Sequence, residues 1–334
     1  MDFAKGYTAS FRVVLLDHDW TESDEIANVS SVSISRDITS DVPLVDSADI
    51  DIDSAPEEES YVRVYLDATQ DGGTTSVPLG TFLMESTDDE VGANSEWSSA
   101  ELWSVLKPAD ERKLPTGWYA PKGALSASKA ASLLSECIAA PIEVQDGSPT
   151  LADHYVSDGT ESYLAVAWSL LPTGWSITVD GMGNVRVAED PTDPIAILPS
   201  DIIGNVKESW DLAGIPNRIT VSDDAGNEAT VTNSDPLSPT STVARGRVID
   251  GDSSGVRESG ESLRAFAKRL LSEQSKVTRT CSYERELKDG VTLGSSVTVP
   301  GKDGTWRVTS QSLSCGCGVR VTETVTKEEV TWQS

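Results

Sequence analysis

Apolar and polar residues alternate with a period of two over most of this chain. The alternation runs through 7–16, 29–36, 46–53, 60–67, 76–86 and 95–103, with turn clusters such as Asp71-Gly72-Gly73 between the runs. Successive side chains of a strand point to opposite faces, so each run predicts a strand with one buried face. Ala48-Asp49-Ile50-Asp51-Ile52-Asp53 puts its aspartates on one face and its apolar residues on the other. Six short strands at this spacing predict a small antiparallel barrel or sandwich over residues 1–107.

The period changes after residue 107. Helical spacing predicts one helix within 125–138, with Ser126 as its cap and Pro141 beyond its end, and a second over 161–171, ended by Pro172-Thr173-Gly174. Trp175 to Val179 and Asn184 to Ala188 then flank Asp180-Gly181-Met182-Gly183 as a hairpin. Residues 108–200 therefore form a small α/β insert, closed by an extended linker through Pro191, Pro194 and Pro199. The pentapeptide Leu-Pro-Thr-Gly-Trp occurs at 114–118 and again at 171–175. Its flanks do not repeat, so it predicts two similar turns and no internal duplication.

Strand patterning resumes over 201–334, at 205–209, 218–222, 228–232, 242–249, 277–286, 292–299, 304–314 and 318–326. A helix over 259–274 interrupts it, with Leu263, Phe266, Ala267, Leu270 and Leu271 on one face. The fold class that follows is mainly β with a small α/β insert: a first β domain at 1–107, the insert and linker at 108–200, and a second β domain at 201–334.

Charge narrows the range of partners. The 334 residues carry a formal charge of −28, and residues 1–100 hold 22 acids against four bases. Residues 101–250 hold 21 against 10, and residues 251–334 hold 11 against 12. Such a surface opposes binding to DNA, RNA or anionic lipid through phosphate neutralisation. No secretory signal and no apolar run long enough to span a membrane is visible. Cys137, Cys281, Cys315 and Cys317 are too few for a disulfide framework, and Cys315-Gly-Cys317 lacks further ligands nearby for a zinc site.

Each chemical motif has a plainer account. Gly251-Asp252-Ser253-Ser254-Gly255 fits the form GxSxG, but a nucleophile elbow needs a helix to start at once within a parallel sheet. Asp17-His18-Asp19 sits at a strand end, where neighbouring side chains diverge. Asp49, Asp51 and Asp53 lack the glycine and glutamate of a calcium loop, and Asp223 to Asn227 fits a weak calcium site or, equally well, a hairpin turn. No catalytic, cofactor-binding or metal-binding residue is assigned, and no cofactor is expected.

Four phrases in order carry a resemblance. They are Pro78-Leu79-Gly80-Thr81-Phe82-Leu83-Met84-Glu85; Leu170-Leu171-Pro172-Thr173-Gly174-Trp175-Ser176-Ile177 with its hairpin; Ile215-Pro216-Asn217-Arg218-Ile219-Thr220-Val221; and helix 259–274 followed by Val291-Thr292-Leu293-Gly294-Ser295-Ser296-Val297-Thr298-Val299. In the last, Ser295 stands where an aspartate is common. The order resembles the baseplate hub, or tail-tip hub, of tailed bacteriophages and related contractile injection particles.

The resemblance implies two tube-like antiparallel β-barrel domains with inserted helical subdomains, and a homotrimer whose six barrels match a six-fold tail tube. It implies a virion structural protein, not an enzyme, located at the tail tip and made in the host cytoplasm. Its expected neighbours are the tail tube or distal tail protein, the C-terminus of the tape measure protein, and receptor-binding or fibre proteins. DNA would pass without specific binding, and no membrane anchoring is implied. Some relatives continue into a hydrolase or receptor-binding region; ending at Ser334, this chain reads as the hub alone. The rival readings are a distal tail protein, a β-rich surface adhesin, and a hydrolase using Ser253.

Overall fold

The computed structural model describes all residues except 1, 2, 4, 18, 27, 28, 30, 39–43, 53–58, 92–95, 333 and 334, with backbone alone over 85–91 and at 96 and 97. It is mainly β. The first segment forms β1 (Thr8–Leu16), β2 (Glu22–Ile26), β3 (Ser31–Asp37), β4 (Asp46–Ile52), β5 (Ser60–Gln70), β6 (Gly73–Val91) and β7 (Glu96–Ser104). The insert carries α1 (Lys107–Glu111), β8 (Tyr119–Ala120), α2 (Ser126–Ser135), β9 (Ile142–Val144), β10 (Tyr155–Val156), α3 (Tyr163–Ser169), β11 (Trp175–Val179) and β12 (Val185–Glu189). There follow β13 (Ile195–Ala196), β14 (Ile202–Trp210), β15 (Arg218–Ser222), β16 (Glu228–Thr232), α4 (Thr242–Arg245) and α5 (Leu263–Gln274). The chain ends through β17 (Lys276–Glu286), β18 (Ser296–Thr298), β19 (Trp306–Cys315) and β20 (Val319–Val330).

These elements fall into two compact units. Unit 1 is Met1–Asn205 with Tyr283–Thr324, and unit 2 is Val206–Ser282 with Val325–Ser334. Within unit 1 the strands follow the order β17-β20-β19-β3-β4-β7-β6-β5-β1-β2, with β18 beside β19 and β13 beside β18. Among the described residues this path is open, without a pairing that closes it into a barrel. Strict alternation builds its core. Val32 and Ile34 of β3, Ile50 and Ile52 of β4, Leu102 of β7 and Leu313 of β19 all point into one apolar cluster with Val62, Val64, Leu66 and Phe82.

Turn chemistry sets the registers. Asp71 and Gly72 both have positive φ, 53° and 82°, the backbone of a two-residue hairpin loop that joins β5 to β6 from Gln70↔Gly73 onward. The two Leu-Pro-Thr-Gly-Trp segments are the same turn, as their repetition predicts. The amides of Trp118 and Trp175 donate to the carbonyls of Pro115 and Pro172, each at 3.1 Å. The intervening Gly117 and Gly174 lie at φ +81° and +84°.

Unit 2 is smaller. Strands β15 and β16 pair antiparallel from Arg218↔Thr232 to Ser222↔Glu228, and α5 covers their apolar face. Phe266, Ala267, Leu270 and Leu271 meet Ile219, Val221 and Val231, the face that the helical spacing of 259–274 predicts. Ser262 caps α5 by accepting from Ala265 N at 3.2 Å.

Three local expectations need correction. Ser126 is the first residue of α2 and not its cap; the cap position is Leu125, which has no side-chain acceptor, and the Ser126 hydroxyl is buried without a partner. Residues 242–249 are not a strand. Ser241 accepts from Ala244 N, and Gly246 at φ +63° ends α4, so capping chemistry outweighs the alternation of Val243, Val248 and Ile249. Glu22–Ile26 forms a strand where the alternation predicts none, since only Ile26 in it is buried.

Candidate functional site: a serine and acid face on the sheet

The outward positions of β19, β3, β4 and β7 line up by register into rows. One row is Ser314, Ser33, Asp49 and Glu101; the next is Ser312, Ser35, Ser47 and Trp103; a third is Ser31, Asp51 and Ser99. Ser31 Oγ donates to Asp51 at 2.6 Å and Ser33 Oγ to Asp49 at 3.4 Å. None of these positions is a base. Four adjacent strands thus present a face of hydroxyls and carboxylates, backed by the apolar core of unit 1. Asp53, part of the same alternation, lies outside the described residues.

The motifs with catalytic or metal-binding form resolve into turns. Asp252 carboxylate oxygens accept from Ser254 N at 2.8 Å and Ser254 Oγ at 2.5 Å, which holds its carboxyl below the usual range. Ser253 is exposed in that loop and α5 starts only at Leu263, so the strand-turn-helix geometry of a nucleophile elbow is not formed. Asp19 accepts from the hydroxyl and amide of Thr21 in the turn before β2, and His18 lies outside the described residues.

Asp223 and Asp180 close identical turns. In each, the aspartate accepts from the amide of the asparagine four residues on, at 2.9 Å for both Asn227 and Asn184, whose side-chain amide also donates back. The carboxylate is consumed by the turn, and the calcium reading of 223–227 lapses. Among the described residues no group of three or more His, Cys, Asp and Glu is placed to hold a metal ion. Cys137, Cys315 and Cys317 are free thiols; burial pushes the Cys315 thiol up to about 12, which leaves it unreactive. No helix among the described residues is long and apolar enough to cross a membrane.

Sequence reasoning missed two polar groups inside unit 1. Asp46 is buried opposite Arg36, and Glu323 is buried against Arg285, with Nε–Oε2 at 2.6 Å and Nη2–Oε1 at 3.0 Å. Both acids occupy inward positions of strand patterns. A charge at an inward position was the available signal.

No family model matches the sequence, and no curated protein does. Solved structures share the fold over nearly the full chain. A tail protein from Neisseria meningitidis is 18% identical, with 98% of each chain covered and a TM-score of 0.59. The 43 kDa tail protein of prophage MuSo2 from Shewanella oneidensis is 11% identical, with 95% of this chain and 98% of that one covered and a TM-score of 0.62. An Escherichia coli component of the type VI secretion system, described as structurally similar to the T4 bacteriophage tail proteins gp27 and gp5, is 10% identical. There the match covers 92% of this chain and 75% of the other, at a TM-score of 0.50. The chain therefore has the fold of phage tail proteins, the class to which its sequence phrases point.

Proposed function

We propose that this chain is a structural subunit of a phage tail tip: a hub that forms a trimeric ring, closes the end of the tail tube and lets DNA pass. The observation that carries the reading is the agreement of fold with a tail protein across 98% of both chains. In this reading the β regions at 1–107 and 201–334 are two tube-like domains, separated by the insert at 108–200. Their sheets complete themselves against neighbouring copies, so that open strand edges are buried on assembly.

The serine and acid face supports the second half of the proposal. A wall of Asp49, Asp51 and Glu101 among serines repels phosphates and gains nothing from counterion release, so a polyanion slides past it. The role is mechanical and calls for no catalytic residue. Its partners are further copies of itself, the tail tube or distal tail protein, the C-terminus of the tape measure protein, and fibre or receptor-binding proteins.

Light scattering of the purified chain over a concentration series tests the ring. A species near three times 35.6 kDa is the expected result. A mass near six times 35.6 kDa would replace the hub with a distal tail ring. A monomer at every concentration, and in the presence of tail tubes, would overturn the ring and favour a surface adhesin.

A further inference from the structure

Gly181 and Gly183 sit at the tip of the β11–β12 hairpin, closer to β6 than any other residue type allows. A Cβ on Gly181 would lie 2.1 Å from the Pro78 carbonyl oxygen. One on Gly183 would lie 2.7 Å from Thr81 Cβ and 2.8 Å from the Trp20 indole. Gly183 has φ +80°, which the turn itself requires. Gly181 does not use the left-handed region, so its missing side chain serves the approach alone.

The tip is held by its backbone. Met182 O accepts from Trp20 Nε1 at 3.2 Å and Arg63 Nη2 at 2.8 Å, and Gly181 O accepts from Thr81 Oγ1 at 3.1 Å. The Met182 side chain stays 38% exposed, with its sulfur 3.8 Å from the Tyr65 hydroxyl. Behind these donors, Arg63 also reaches Glu22 Oε1 at 3.1 Å and Thr81 Oγ1 at 3.0 Å.

We propose that residues 180–184 form a releasable strap, closed in this structure, that opens while the sheet beneath it stays folded. Two features argue for release over a permanent weld. The contact consists mainly of hydrogen bonds that water can replace, each a small fraction of a domain's stability. Arg63 keeps Glu22 and Thr81 when the tip leaves, so opening strands no buried charge.

The strap borders a cleft of about 560 Å³ whose lining includes Val77, Pro78, Thr178, Asp180, Leu287 and Leu293. It also covers Pro78 to Thr81, part of the stretch of β6 that, among the described residues, has β5 on one side and no strand paired on the other. Release therefore widens the cleft and bares a strand edge able to take an extended chain.

Hydrogen exchange on the full chain tests this, comparing the parent with Gly181→Ala and the milder Thr81→Val. Amides 178–185 should exchange at least roughly tenfold faster in Gly181→Ala and measurably faster in Thr81→Val. Segments 62–66 and 100–106 should keep the parent's rates in both variants. If tip and core segments accelerate together in Thr81→Val, the tip opens only by unfolding and the strap is a weld. If Gly181→Ala leaves 178–185 unchanged, the contact holds nothing and the proposal falls.

Discussion

Asp49 on β4 and Glu101 on β7 stand directly opposite each other on the outer face of the sheet, in a row whose other members are Ser33 and Ser314. Like charges at such a position destabilise a strand pair by up to about 1 kcal/mol. The fold does not need this repulsion, which points to a use for the charge itself. Glu101→Lys should raise stability by about 0.5–1 kcal/mol at low salt. The gain should shrink in 1 M salt, where screening acts over about 3 Å. Urea unfolding at both salts reads it, and a variant no more stable than the parent at low salt would remove the repulsion from the account. On the proposed tail-tip reading, the same change in assembled particles should slow DNA delivery while leaving adsorption intact.

Asn217 holds the loop between β16 and α5 to β15 in unit 2. It is fully buried, accepts from Ile249 N at 2.8 Å, and donates to Thr240 O at 3.1 Å and Arg247 O at 3.0 Å. Asn217→Leu keeps similar volume but leaves these backbone groups, of which the Thr240 carbonyl belongs to a buried residue, without this partner, at about 1–3 kcal/mol for the buried group stranded. The expected result is earlier thermal loss of unit 2 with little change in unit 1, followed by hydrogen exchange at 219–221 and 266–271. Equal loss in both units would assign Asn217 a wider role than this loop.

The parts of this fold that were legible are those whose signal is local. Alternation marks Arg218–Ser222 and Glu228–Thr232 to the residue, and helical spacing finds the buried face of α5. Glu22–Ile26 escaped because an edge strand with a single buried residue has almost no period to read. Residues 242–249 misled because Ser241 and Gly246, both capping residues, decide a short helix that apolar spacing does not announce. The serine and acid face was half legible. Each strand shows its polar side, but β19 joins β3 across more than 270 residues of sequence, and only pairing shows that Ser312 and Ser314 extend the same surface. The strap was invisible for a related reason: Asp180-Gly181-Met182-Gly183 reads as a turn, and nothing nearby names Pro78 or Trp20 as its neighbours.

Asp46 gives unit 1 a pH response of unusual sign for an acid. Burial raises its carboxyl to about 6, against the opposing effects of the Ser104 hydroxyl and the Arg36 guanidinium, and its Oδ1 has no hydrogen-bond partner. The folded chain thus holds the proton more tightly than the unfolded chain. The contribution is favourable below about pH 4 and is lost as pH rises through 6. From 3.8 to about 6 is 2.2 units, or about 3 kcal/mol at most. Asp46→Asn should therefore gain on the parent by about 1–3 kcal/mol between pH 4.5 and pH 8. Stability curves for the two proteins that run parallel over this range would show that Asp46 is not the titrating group.

Arg285 and Glu323 face each other across β17 and β20 with side chains 1% and 0% exposed, and Gln311 on β19 donates to the same carboxylate at 2.9 Å. Removing one partner leaves a charge in a site that cannot hydrate it, so Glu323→Leu should cost about 3–5 kcal/mol. Removing both charges together avoids that penalty. Arg285→Met combined with Glu323→Leu should recover most of the loss, because desolvating the pair consumed much of its attraction. Denaturant unfolding of the two single variants and the double variant forms a closed cycle. Recovery in the double variant would mark the pair as a device that fixes the register of β17, β20 and β19. A double variant as unstable as the sum of the singles would mean that the pair holds unit 1 together by its own strength.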